Sequence, residues 1–400
     1  MLAVLHANLI LPNGVIPDGM LLCDQGQILY AGAGTDIPAD ADILNAHGLF
    51  AGPGFVDVHC HGGGLYSAGD NPAEFARYHL LRGTTSVLAT LSYGEEPSAR
   101  LIRACRIRDA MPDCPSILGI HLEGPFKNPS FGFPGKYQTP VSVEYAQALF
   151  DACGGAARMM MVSPDAPDIE PILALTHTHG IRLAAGHGDC TREQYALLKR
   201  YGLVNATHHY DASGDYTELM GIRKVGLDEL VDLDDDVYAE IIPDHIAMHV
   251  APERIRLCVR CKGVHRVIVI TDAVPSVWNA DDEPDLSRMR PSDDPGQAPK
   301  GAAYSAPKGA THSADDCDIH WVNGKLDGSE LNMAKACYNM KRHALLDTPT
   351  VWRMASENPA RMLGVEQRVG QLIPGADADI VLADEDFNVE SVVLKGRIAV

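Results

Sequence analysis

The chain has 400 residues, 46% of them hydrophobic, enough to bury a large core in one unit or several. Its 53 acidic residues outnumber 33 basic ones, for a formal net charge of -20. That balance argues against nucleic acid or an anionic membrane surface as a partner, since both require clustered Lys and Arg, and leaves a small-molecule substrate as the expected one.

The amino terminus, "MLAVLHANLILPNG", lacks the basic region of a signal peptide, and no Lys or Arg precedes Arg77. No apolar run is long enough to span a bilayer. Ten cysteines occur without a disulfide framework, as in a reduced compartment, so a soluble cytoplasmic protein is expected. The close pair Cys258 and Cys261, in "CVRC", reads as helix packing rather than metal or redox chemistry.

Residues 1–50 alternate short apolar runs with turn signals, as in "AVLHANLILPNG" and "GMLLCDQGQILYAG", which predicts short antiparallel strands. The tail over 366–400, including "GADADIVLADEDFNVESVVLKGRIAV", has the same character. Both ends are therefore expected to build one small β-sandwich domain. Between them, over 51–365, strand-length apolar runs recur: "GFVDVHCH", "TTSVLATL", "SILGIHLEG", "RMMMVSPD", "IRLAAGH", "LVNATHH", "YAEIIPD" and "RVIVITDA". Helical spacing separates most of them, as in "PAEFARYHLLRG" and "TREQYALLKRYG". Eight such units predict an α/β fold, a TIM-like (β/α)8 barrel, with an open doubly wound sheet as the alternative. No glycine-rich phosphate loop follows the first strand. The Pro-, Asp- and Ser-rich stretch over 276–314 reads as a long loop, placed to act as a lid. Two helices are expected after it, in "GSELNMAKACYNMKRHALL" and "PTVWRMASENPARMLG".

In "GFVDVHCHGGG", Asp57, His59 and His61 share one face of a strand, so both imidazoles can point into a barrel at its carboxyl end. "GIHLEGP" supplies Glu123, "LAAGH" His187, "VNATHH" His208 and "VIVITDA" Asp272, each at another strand end. Barrel enzymes build their sites there. Imidazoles and carboxylates without thiolates suit Zn²⁺, Fe²⁺, Mn²⁺ or Co²⁺ rather than Ca²⁺. His209, next to His208, should point to the other face.

These segments, "VDVHCHG", "HLEGP", "AGH", "ATHHYDA" and "ITDA", with "GKLDGSELNMAKACYN" and "GADADIVLAD", resemble the amidohydrolase superfamily. Within it the chain is most similar to the N-acetylglucosamine-6-phosphate deacetylases, and the resemblance covers essentially its whole length. It implies a barrel enzyme with one or two divalent ions, Zn²⁺ or Fe²⁺ first among them. His59 and His61 would hold one ion, His187 and His208 the other, with Glu123 shared or serving one. Asp272 would act as general base and acid on an amide. Substrate contacts implied by the resemblance are His249, with His245 as competitor, Asp211, Ala212 and Arg223, the last reaching a phosphate, often from the partner in a homodimer.

Two departures bear on the substrate. The family histidine after the EGP motif is missing from "KNPSFGFPGKYQTP", where Lys136 or Tyr137 could substitute. Asp211-Ala212 stands where the family has Asn-Ala, and a carboxylate repels a phosphate dianion. The acyl group is therefore expected on an amino sugar, phosphorylated or not, or on another amine such as a D-amino acid. Deacylation of N-acyl amino acids and opening of a cyclic amide are the alternatives within hydrolysis, and a non-catalytic barrel is the alternative outside it.

Overall fold

The computed structural model describes residues 1–34, 36–92, 96–128, 130–132, 137, 139–214, 218–219, 222–275, 318–322 and 325–400. The expected lid over 276–314 lies outside the described residues.

Eight parallel strands form the barrel: Phe55–Cys60, Thr84–Leu91, Ile117–Glu123, Ala157–Val162, Arg182–Ala185, Leu203–Ala206, Tyr238–Ile241 and Val267–Val269. They are the eight runs read from the sequence, and each pairs with its neighbour in chain order. The first three are buried along their entire length, because the lumen covers one face and helices the other. After the eighth strand the chain closes on the first, with the Asp272 N–H donating to His59 O at 2.9 Å and the His61 N–H to Ala273 O at 2.8 Å. Below that seam the Thr271 hydroxyl donates to buried Asp57 at 2.6 Å, so the first and last strands are clasped inside the lumen as well.

Local chemistry ends the helices where the barrel needs them to end. In Arg192–Arg200 the Thr191 hydroxyl accepts from Gln194 N–H while the Gln194 side chain accepts from Thr191 N–H. Glu193 sits in its first turn and Lys199 and Arg200 in its last, both favourable to the helix dipole. Tyr195 and Leu198 face the barrel. The two helices expected after the eighth strand are three: Met333–Ala344, Thr348–Met354 and Glu357–Leu363. The break falls at Ser356, whose backbone (φ -140°) leaves the helical range and whose hydroxyl donates back to Trp352 O at 2.6 Å.

Both termini contribute to one eight-stranded sheet. Leu2–Leu11 pairs antiparallel with Gly14–Asp24, as expected, but runs parallel to Asp42–Asn45 and Phe50–Pro53. Those parallel pairings were not readable from turn signals, since they join strands across long connections. Alternation then assigns the faces. Ile380 and Leu382 enter a core with Leu9, Leu21 and Ile28, while Val381 and Ala383 pack with the barrel core. Phe55, Trp352 and Phe387 fill that second boundary, and Trp352 Nε1 donates to Pro53 O at 2.8 Å.

Asp379 lies buried at the same boundary, its Oδ1 accepting from Lys395 N–H at 2.8 Å. Burial pushes its carboxyl up to about 7, outweighing that hydrogen bond. An unfolded chain releases this proton near pH ~3.9, so stability falls as pH rises from there through about 7. Asp379→Asn is expected to stabilise the protein at pH 8 by up to ~4 kcal/mol, with the difference vanishing near pH 4. Urea unfolding at both pH values measures this, and an equal effect at both would refute it.

Candidate metal centre

The strand ends bring six predicted residues together at the carboxyl mouth of the barrel. Glu123 joins two groups. On one side, His61 Nε2 is 3.2 Å from Glu123 Oε2 and His59 Nε2 is 3.8 Å from Oε1. On the other, His187 Nε2 is 2.7 Å and His208 Nε2 3.4 Å from Oε1. The paired rings face each other through Nε2, at 3.3 Å for His59 and His61 and 2.9 Å for His187 and His208. Asp272 Oδ1 stands 3.3 Å from Nε2 of both His59 and His61. All six side chains are buried.

The outer nitrogens identify the tautomers. His208 Nδ1 lies 2.9 Å from Asp211 O, a carbonyl that can only accept, so Nδ1 carries the hydrogen. His59 Nδ1 faces Glu240 Oε2 at 3.2 Å in the same sense, and His61 Nδ1 faces the Ser92 hydroxyl at 3.0 Å. In neutral His59 and His208 the Nε2 lone pairs therefore point into the shared centre. Lone pairs from separate strands converging beside carboxylates repel unless a cation lies between them. The donor set fits a divalent ion in each group.

The backbone is unusual at these positions. His187 (φ 46°), His208 (φ 32°) and Asp272 (φ 48°) all occupy the left-handed region. Such residues typically cost of order 1–3 kcal/mol each and cluster at functional sites. The Asp272 turn is shared with Ser329, whose N–H donates to Asp272 O at 2.9 Å. Gly328 (φ +89°) permits that approach, since a Cβ there would lie 2.7 Å from Asp272 O.

Charge follows the geometry. Burial raises the Asp272 carboxyl, but the charges of His59 and His61 and a hydrogen bond from His61 outweigh it and bring it down to about 2. Glu123 is likewise raised by burial and held well below its usual range by His187, His208 and His61. Burial, reinforced by the charge of His208, lowers His187 to about 4.

Of the expected substrate contacts, His249 is buried, with Nδ1 3.0 Å from Asp244 Oδ2 and Nε2 without a hydrogen-bond partner among the described residues. Its charge interacts with Asp211 and Asp272, which places it at the centre's edge. His245 instead offers its backbone N–H to Asp318 at 3.2 Å. Ala212 (φ 48°) lies near Gly132, where an added Cβ would come within 3.2 Å of the Ala212 Cβ and 2.7 Å of His187 Nδ1. Arg223 lies in a short strand paired with Glu218, and only its backbone is described. Tyr137 is exposed, while Lys136 falls outside the described residues. His209 turns away from the centre, its Nε2 3.1 Å from Asp232 Oδ1, with Cys258 close enough to complete a third His/Asp/Cys group. Cys258 itself is buried and Cys261 exposed.

Sequence reasoning missed Glu240, Asn205 and Ser92. Glu240 and Asn205 are polar residues inside buried strands, "YAEI" and "LVNA", and that incongruity was the available signal.

The parallel barrel gathers His and carboxylate side chains at its mouth, in two groups that could each hold a divalent ion. Residues 311–399 match the Amidohydrolase family. N-acetylglucosamine-6-phosphate deacetylase of Lysinibacillus sphaericus is 29% identical over 90% of this chain and 88% of its own length. The protein of that name from Bacillus subtilis (strain 168) is 26% identical over 90% and 85%. The crystal structure of N-acetylglucosamine-6-phosphate deacetylase from Pasteurella multocida superimposes with a TM-score of 0.83 at 21% identity, covering 99% of each chain, which shows the fold. The family match over residues 311–399 and these relatives indicate a hydrolytic enzyme.

Divalent cations added to chelator-treated protein should raise its unfolding temperature, with ~2.7 kcal/mol of stabilisation at a hundredfold excess over Kd. Replacing His187 and His208 together by Ala should remove much of that shift. No response to Zn²⁺, Fe²⁺, Mn²⁺ or Co²⁺ would contradict the assignment.

Proposed function

We propose that this enzyme removes the acetyl group from an N-acetyl amino sugar, in the first instance a 6-phosphate. One observation carries the reading: four imidazole Nε2 atoms from three strand ends converge on Glu123 beside the Asp272 carboxylate. The names of the relatives that match nearly end to end supply the substrate class. His59, His61 and Glu123 would hold one ion and Glu123, His187 and His208 a second, Zn²⁺ or Fe²⁺ by donor chemistry. A divalent ion supplies Lewis acidity, which lowers the pKa of water from ~15.7 toward ~7 and stabilises a developing oxyanion.

The chain's own residues do the rest. Asp272, ionised at neutral pH, accepts a proton as water oxygen bonds to the acyl carbon. It returns that proton to the nitrogen as the C–N bond breaks, giving a free amine and acetate. Asp272 Oδ1 stands 3.3 Å from Nε2 of both His59 and His61, beside the group that would hold the first ion. His249, held by Asp244 through Nδ1, presents Nε2 to the substrate carbonyl or a sugar hydroxyl. Arg223 is assigned to the phosphate. Asp211 favours a second reading, an unphosphorylated amino sugar, because a carboxylate beside a phosphate dianion repels it.

No helix among the described residues is long and apolar enough to cross a membrane, and all nine described cysteines are free. We propose that the enzyme is cytoplasmic and acts as a homodimer. Light scattering that found only monomer would reject the dimer.

Acetate release is expected from N-acetylglucosamine, galactosamine or mannosamine 6-phosphates, and activity on the free sugars alone would select the second reading. Failure on all six would reject the amino-sugar assignment. Asp272→Asn should lower kcat by ~10²–10⁴ while elemental analysis finds bound metal unchanged; substantial residual turnover would remove Asp272 from the mechanism.

A further inference from the structure

Glu240 is the one carboxylate at the centre that the hydrolytic reading leaves without a task. It lies in the seventh barrel strand, Tyr238–Ile241, and is fully buried. A carboxyl group there is costly to desolvate unless hydrogen bonds surround it. They do: Oε1 accepts from Asn205 Nδ2 at 2.6 Å, and Oε2 accepts from His208 N–H at 3.2 Å and faces His59 Nδ1 at 3.2 Å. The donors come from the first strand and from the end of the sixth, so one side chain touches both ligand groups.

The contacts are not equivalent. His61 is oriented by the neutral Ser92 hydroxyl and His208 by the neutral Asp211 carbonyl. Of these three outer partners only Glu240 can carry charge, and it is spent on His59. A carboxylate behind a ligating imidazole fixes its tautomer and strengthens it as a donor. His61 alone with Glu123 would be a two-residue site, so the first group depends on His59 being held in place.

We propose that Glu240 is a positioning residue that secures the ion held by His59, His61 and Glu123, and so decides whether the centre holds two ions or one. This rests on the metal-dependent reading above and adds a determinant of ion number to it.

The test is metal titration of chelator-treated full-length protein with Zn²⁺, followed by elemental analysis. Wild type is expected to take up two ions. Glu240→Gln, which keeps the shape and loses the charge, should bind the first-group ion ~10–100-fold more weakly and retain one ion after dialysis. His59→Ala should lose the same ion, and adding Glu240→Gln to it should cause no further loss. A merely structural Glu240 would lower the unfolding temperature of the chelated protein and leave both affinities unchanged, which would overturn the proposal. If Glu240→Gln does not fold, Asn205→Ala, which leaves the carboxylate but withdraws one donor, should weaken the same ion to a lesser degree; unchanged affinity there would also overturn it. Wild type binding a single ion would overturn this inference and leave the hydrolase reading standing, whereas wild type binding none would remove both.

Discussion

Glu123 is the pivot of the molecule. Its two oxygens reach His61 at 3.2 Å and His187 at 2.7 Å, so one side chain spans ligands from the first and fifth barrel strands. Strands far apart around a barrel cannot approach each other directly; only side chains projecting into the lumen can join them. Burying that carboxylate without a compensating partner would be strongly unfavourable, and four imidazole Nε2 atoms approach it from both sides. The site and the closure of the barrel are thus one arrangement. Asp272, beside His59 and His61, follows directly from the seam where the Asp272 N–H meets His59 O.

Beneath this layer the lumen stays polar. Asp57 with Thr271, and Glu240 with Asn205, occupy positions that an ordinary barrel fills with Val, Ile or Leu. Each pair joins different strands, so hydrogen bonds replace part of the packing there. Burial drives Asp57 up to about 6, despite hydrogen bonds from Thr271 and His59. The apolar shell between strands and helices compensates, with residues such as Leu88, Ile120, Met160 and Ile268 fully buried. Cohesion is therefore concentrated outside the strands and chemistry inside them.

The barrel was legible because both faces of its strands are covered, which turns each into an unbroken apolar run that helical segments separate. The clustered His and carboxylate residues were legible because each interrupts such a run at its carboxyl end. Glu240 and Asn205 sit mid-strand, and their significance depends on the neighbours that closure brings, which spacing along the chain does not encode. The terminal sheet was visible as strands but not as pairings: Leu2–Leu11 meets three partners, two of them parallel. The division of the last helical stretch escaped because "WRMASENPARML" keeps helical periodicity through Ser356, and only the local backbone departs from it. Asp211 was singled out for its carboxylate, yet its backbone carbonyl is what orients His208.

The left-handed backbone at His187, His208 and Asp272 restricts how this chemistry could be redesigned. Among residues with a side chain, Asn, Asp and His enter that conformation most readily, while β-branched and bulky ones resist it. The main chain at these three strand ends thus pre-selects the same small alphabet that coordinates cations. A library randomising them would be filtered by torsional tolerance before electronics had any say, and its survivors would look like ligands even under selection for folding alone.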